Sequence, residues 1–219
     1  MFEHRDYSPG ENWFSRSPIT MALLGANALV FVLQLTLPTR WLPQSHFALS
    51  VEGLARGYYW QLLTYQFLHG GVMHLLLNGW ALYVFGRHVE RAGGRVWFLL
   101  LYFLSGVSGG LLHIFAALVW PGYFNYPVVG ASAGVFGVVS AFAILWPHQR
   151  LRLLLFFVIP VNLGARSLLL INLALTGLGI AYPRSFFGGN IAHVAHLGGI
   201  LTGLALARWR ENKPYVGGM

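Results

Sequence analysis

Six apolar stretches limit what this chain can fold into. They run over Thr20–Leu37, Val72–Gly86, Val96–Trp120, Ala131–Trp146, Ser167–Tyr182 and Ile191–Ala207, with the basic residues gathered mostly between them. In hydrocarbon every backbone N–H and C=O must find a partner inside its own segment, so such stretches read as membrane-crossing helices. The predicted fold class is an all-α polytopic membrane protein built as a six-helix bundle. Composition agrees. Of 219 residues, 56% are hydrophobic and 9% charged, with mean hydropathy +0.60, whereas a soluble domain carries about 25% charged residues.

An even number of spans puts both termini on one side. That side would hold Arg5, Arg16, Arg87, Arg91, Arg95, Arg150, Arg152, Arg166, Arg208, Arg210 and Lys213, against Arg40, Arg56 and Arg184 on the other. Eleven basic residues against three orient the termini toward the cytoplasm. The same asymmetry accounts for the net charge of +8 without a nucleic-acid partner. Cysteine is absent, which removes disulfides and thiolate chemistry. Residues 1–18 read as a short cytoplasmic tail, polar and mixed in charge rather than a cleavable signal. Residues 19–210 read as one membrane domain without internal repeats, and residues 211–219 as a C-terminal tail. The long connection Pro38–Gly70 is rich in aromatics and nearly uncharged, as expected of a segment resting in the membrane interface. Arg87–Arg95 reads as a charged turn. Leu151–Ile159 is too short to span, is interrupted by Pro160, and reads as interfacial.

One motif stands out among the spans. Gly130-Ala131-Ser132-Ala133-Gly134 fits G-x-S-x-G and places a hydroxyl at the start of the fourth helix. A serine flanked by small residues in a membrane helix more commonly serves close packing, so the match alone decides nothing. Depth adds to it. At about 1.5 Å per residue, Ser132 lies roughly 21 Å above the helix end at Trp146, His196 roughly 18 Å above Arg208, and His74 roughly 20 Å above Arg87. Asn78 is one turn from His74 on the same helix face. Polar side chains on three helices thus share one layer, roughly 10 Å below the outer boundary of a bilayer core about 30 Å thick. Polar groups at that depth are costly unless they meet one another or a water-filled cavity.

This layer has the parts for acyl transfer. Ser132 would be the nucleophile and a neutral His196 the general base. The Ser132 backbone N–H at a helix N-terminus would stabilise the oxyanion, helped by His74 and Asn78. No Asp or Glu lies between Ser132 and His196, and the only Asp is Asp6, so the arrangement would be a dyad. Phe136, one turn below Ser132, is placed to pack on the His196 ring, or serves as an ordinary core aromatic. Gly199 and Gly203 form a GxxxG that lets helix six approach helix four. A metal site is the competing chemistry, from His193, His196, His69 and His74. With no HExxH, adjacent carboxylate or cysteine, the expectation is no metal and no cofactor.

Trp60, His69, His74-Leu75-Leu76-Leu77-Asn78, Glu90-Arg91, Gly130-Ala131-Ser132 and Ala195-His196-Leu197-Gly198-Gly199-Ile200-Leu201-Thr202-Gly203 together resemble the rhomboid intramembrane serine proteases. The resemblance runs from about Ser17 to Arg210. It implies a rhomboid-like six-transmembrane-helix bundle with a long interfacial loop between helices 1 and 2. It also implies a Ser132–His196 dyad, oxyanion support from His74 and Asn78, and Gly130 at the loop-to-helix junction. The implied activity is cofactor-free hydrolysis of peptide bonds in or near substrate transmembrane helices. Substrates would reach the site laterally, past helix five and the loop Pro183–Asn190. The implied partners are transmembrane substrates and membrane lipid, and oligomeric state is left open. A bacterial inner membrane is the expected location.

Two departures from the family pattern are visible. Ala133 stands where many members have glycine after the serine, and is expected to narrow the pocket by a methyl group. Gln61 stands where many have arginine after the loop tryptophan, and is expected to change loop anchoring. The alternative function is a catalytically silent rhomboid-like adaptor or chaperone for membrane helices. Inactive relatives typically lack the serine or the histidine, and this chain keeps both. A small transporter would want repeats and intramembrane charges, which the sequence lacks.

Overall fold

A computed structural model describes residues 17–155, 159–183 and 191–211. Helix α1 spans Pro18–Thr36, with proline at its first position, where a missing N–H leaves no helical bond unmade. Its exposed N–H groups are capped from far along the chain. The Ile19 and Thr20 N–H groups and the Thr20 hydroxyl all donate to the Glu90 carboxylate, at 3.0, 2.8 and 2.7 Å. Glu90 is buried there, a carboxylate held at the positive end of a helix dipole.

The connection that follows is folded. It contains α2 (Gln44–Phe47), α3 (Val51–Ala55), α4 (Gln61–Thr64) and a 3₁₀ turn over Tyr65–Phe67. Leu49 pairs with Val128 through two backbone hydrogen bonds, tying this segment to the loop that leads into Ser132. Trp41, Tyr59 and Trp60 stay exposed, as interfacial aromatics would. The Gln61 side chain is fully buried. Its amide donates to the Ser45 carbonyl at 2.9 Å and accepts from the Ser50 N–H at 3.2 Å. Gln61 thus anchors the loop with a neutral group, which needs no counter-charge when buried.

Helix α5 (Val72–Ala81) runs through a π turn at Leu82–Gly86 directly into α6 (Arg87–Gly93). The charged turn expected at Arg87–Arg95 is therefore helical, and the break falls at Gly94, whose φ of +85° suits glycine. Helix α7 (Arg95–Val119) is the longest, at 25 residues, and α8 is a short turn at Pro121–Phe124.

Helix α9 (Ser132–Leu145) is the axis of the molecule. Eleven of its 14 residues are buried, on every side of the helix, so it can only sit inside a ring of others. Between α9 and the next helix the all-α expectation fails. Strands β1 (Arg150–Leu155) and β2 (Ile159–Gly164) form an antiparallel ribbon, in register from Arg150 opposite Gly164 to Leu155 opposite Ile159. Pro160 sits in β2, where a two-stranded ribbon has only edge strands and tolerates it. The alternation Arg150-Leu151-Arg152-Leu153 was the legible strand signal.

Helices α10 (Ala165–Ala181) and α11 (His193–Glu211) complete the chain. Helix α11 continues past the expected stop at Ala207, so Glu211 belongs to it and not to a tail. By length and hydropathy, α1 and α7 reach spanning size, whereas α9 and α10 are apolar but only 14 and 17 residues long. Of the Pro183–Asn190 loop, all but Pro183 lies outside the described residues.

Candidate active site

The site begins where the chain makes an approach only glycine permits. After the Leu49–Val128 pairing, the Gly130 N–H donates to the Tyr65 carbonyl at 2.9 Å. Gly130 has φ +127°, and a Cβ there would lie 2.7 Å from both Cε1 and Nε2 of His74. Conformation and space therefore each require glycine, and the His74 ring rests against the backbone just before Ser132. Ala131 is the N-cap and Ser132 the first helical residue of α9. The Ser132 N–H is among those that a helix leaves without an internal partner.

His196 reaches this point from α11. Its Nε2 is 2.8 Å from Ser132 Oγ. Phe136, four residues after Ser132 and so on the same face, stacks on the imidazole with centroids 4.3 Å apart and planes 20° apart. His193 presents an edge to the His196 ring at 5.7 Å. His196 is itself buried.

The contact exists because the helices touch backbone to backbone. A Cβ on Gly199 would run into the Ala133 carbonyl, and one on Gly203 into the Gly137 carbonyl. Helix α7 joins the seam. A Cβ on Gly109 would strike the Ala195 carbonyl and the Ala133 methyl group, and Gly198 faces the Gly109 Cα. A hydrogen bond of 2.6 Å between the Ser108 and Thr202 hydroxyls ties α7 to α11. This geometry corrects one expectation. The Ala133 methyl points at Gly109 in the α7–α9 seam, so it fills a helix interface and does not narrow the space at Ser132.

The Gly70 N–H lies 3.4 Å from His74 Nδ1, which makes Nδ1 the acceptor and leaves the proton on Nε2, the atom beside Gly130. His69 packs its edge on His74 at 5.1 Å. Burial, and then the neighbouring His74, pulls the His69 pKa to about 4, so that ring is neutral. Asn78 is buried on α5, with one amide hydrogen donated to the His74 carbonyl at 2.9 Å and a second available. No acid supports His196 among the described residues. Glu52 pairs with Arg56, Glu90 caps α1, and Glu211 lies fifteen residues along α11. No group of three or more metal-ligating side chains occurs among the described residues.

Several supporting residues carried no sequence signal. Tyr65 holds Gly130 through its carbonyl and donates its hydroxyl to the Gly106 carbonyl at 2.6 Å. His113, buried in α7, contacts the Tyr126 carbonyl at 3.3 Å and so braces the loop before Ser132. Chemically, the arrangement offers a hydroxyl, an imidazole positioned to take its proton, and N–H donors gathered at a helix start.

A model of the Rhomboid domain family matches residues 56–210, well over half of the chain. Rhomboid protein 1, mitochondrial, of Saccharomyces cerevisiae is 31% identical over 216 residues, covering 97% of this chain and 58% of the yeast protein. Rhomboid protease GluP of Bacillus subtilis is 34% identical over 154 residues, 70% of this chain and 26% of its own. RHOMBOID-like protein 12, mitochondrial, of Arabidopsis thaliana is 29% identical and covers 97% of this chain and 64% of its own length. The chain thus spans less than two thirds of each of these relatives. The matched region contains α5 to α11 almost entire, with Ser132 and His196 inside it, and on that match the chain belongs to the rhomboid family.

Proposed function

We propose that this chain is an intramembrane serine endopeptidase that hydrolyses peptide bonds in or near the transmembrane helices of membrane-protein substrates. The observation that carries the reading is the 2.8 Å contact between Ser132 Oγ and His196 Nε2 at the start of a buried helix. In the reaction, Ser132 Oγ bonds to the scissile carbonyl carbon while His196 Nε2 accepts the hydroxyl proton. The oxyanion is held by the Ser132 N–H, the His74 Nε2–H and the free amide hydrogen of Asn78. Collapse expels the amine, which takes the proton from His196. Water, activated by the same imidazole, then releases the acyl group and restores the serine.

Six long helical runs, Pro18–Thr36, residues 72–93, Arg95–Val119, Ser132–Leu145, Ala165–Ala181 and His193–Glu211, serve as the six spans. Helix α9 is about 21 Å long, shorter than the roughly 30 Å hydrocarbon core, so a start below the outer surface follows from its length. Both termini lie on the side rich in basic residues, the cytoplasmic side of a bacterial inner membrane. Relatives include bacterial and mitochondrial proteins, and the charge count speaks to the side, not to the compartment. Lateral access past α10 is supported by its slight burial, only Ala165, Thr176 and Gly179 being fully buried.

The test is cleavage of a single-span substrate by purified protein in liposomes, wild type beside Ser132→Ala. Cleavage by wild type alone supports the reading, and cleavage by both assigns the activity elsewhere. If neither cleaves and a fluorophosphonate leaves Ser132 unlabelled, the helix-binding adaptor reading takes its place.

A further inference from the structure

A cavity of about 560 Å³ opens where α9, the β-ribbon and α10 meet, lined by His148, Arg150, Asn162, Leu163 and Gly164. The ribbon register explains its character. Arg152 stands opposite Asn162 and Arg150 opposite Gly164, and directly opposed residues share a face, so Arg150, Arg152 and Asn162 project together. The other face carries Leu151 and Leu163, which pack against the central core cluster. Burial of those leucines fixes the orientation of the ribbon and turns its basic face outward.

Among the described residues no carboxylate pairs with that face. Residues 91–210 contain no Asp or Glu. Among the described residues Arg150, Arg152 and Arg166 form no ion pair, and all three are exposed. Arg150 lines the cavity with His148 and Asn162, and Arg152 projects from the same ribbon face, so two unpaired guanidinium groups flank a polar site open to an external anion. A guanidinium fork matches the oxygens of a phosphate, and the His148 ring and Asn162 amide add donors beside it.

We infer that this cavity binds a phosphate group, supplied by the headgroup of an anionic phospholipid in the adjoining leaflet. The inference rests on the membrane reading above, which sets the ribbon on the basic side of the bilayer. A headgroup seated there would brace the connection between α9, which carries Ser132, and α10.

The test uses full-length protein in nanodiscs of mixed phosphatidylcholine and phosphatidylglycerol, with retained lipid counted by native mass spectrometry. Wild type should retain phosphatidylglycerol preferentially. Losing a charge-assisted hydrogen bond to the phosphate weakens binding by about tenfold or more, so R150Q/R152Q should bind it at least roughly tenfold more weakly. R208Q/R210Q removes the same charge from the same side of the membrane and should retain it as wild type does. Equal losses in the two variants, or no preference in wild type, would overturn the site. Inorganic phosphate separates the two sources: phosphatidylglycerol retained in phosphate-free buffer supports the headgroup, whereas phosphate bound by wild type with no phosphatidylglycerol preference assigns the cavity to free phosphate and overturns the lipid. A wild-type chain stripped from vesicles by alkaline carbonate would sink the membrane reading. A chain that stays embedded without headgroup preference sinks only the cavity.

Discussion

Replacing Gly199 by alanine should uncouple the proposed dyad without touching either of its side chains. The new Cβ would lie 2.8 Å from the Ala133 carbonyl carbon and 3.1 Å from its Cα, and closer still to the carbonyl oxygen. Carbon atoms settle at about 3.5–4.0 Å, and backbone cannot rotate aside as a side chain can, so α11 must retreat by about 1 Å. Carried to the site, that shift stretches the 2.8 Å contact between Ser132 Oγ and His196 Nε2 to about 3.8 Å, beyond hydrogen-bond range. Misplacement of about 1 Å at a reacting pair lowers rate by about 100-fold, and overpacking costs a further 1–3 kcal/mol or so of stability. The assay is initial cleavage rate in liposomes, normalised to folded protein. Gly25→Ala and Gly177→Ala serve as controls, since nothing lies within 4 Å of either added methyl group. Folded Gly199→Ala protein that cleaves within threefold or so of wild type would refute the claim that this backbone contact sets the Ser–His distance.

Asn78→Ala should lower turnover by roughly 10–1000-fold, the range for one oxyanion donor, and unchanged turnover would remove Asn78 from that role. Glu90→Gln removes the charge that caps α1, which should cost about 2 kcal/mol and lower the melting temperature in detergent. Activity per folded molecule should stay the same, because Glu90 is engaged with Ile19 and Thr20 and not with the site. Chelators should leave cleavage unchanged, and inhibition reversed by added zinc would revive a metal site at the histidines.

The positions of the long helices were legible because each is a run of apolar residues, and burial of apolar surface is a property of composition and spacing. The meeting of Ser132 and His196 was legible for a related reason. A helix advances by a fixed rise, so counting residues from the helix ends, Trp146 and Arg208, put both at a similar height. The residue that lets them touch, Gly199, was visible as part of a GxxxG. Only the structure, though, showed that its partner is the Ala133 carbonyl.

Other features turn on distance between segments remote in sequence, which no local pattern encodes. The acid at position 90 reads as part of a charged turn until α1 is seen beside it, with its N–H groups needing an acceptor. Gln61 reads as a lost cation until Ser45 and Ser50 close around it. Ala133 reads as a pocket residue until α7 brings Gly109 against its methyl group. His74 reads as one more polar side chain at the right depth. Its place against Gly130, with Nε2 beside that backbone, depends on a loop that crosses the bundle and on a glycine φ that only the folded backbone reveals. Sequence determined which residues are apolar, where helices run and how far along its helix each polar group lies. The tertiary structure decided which of those groups face one another, because azimuth and separation are set by how helices pack.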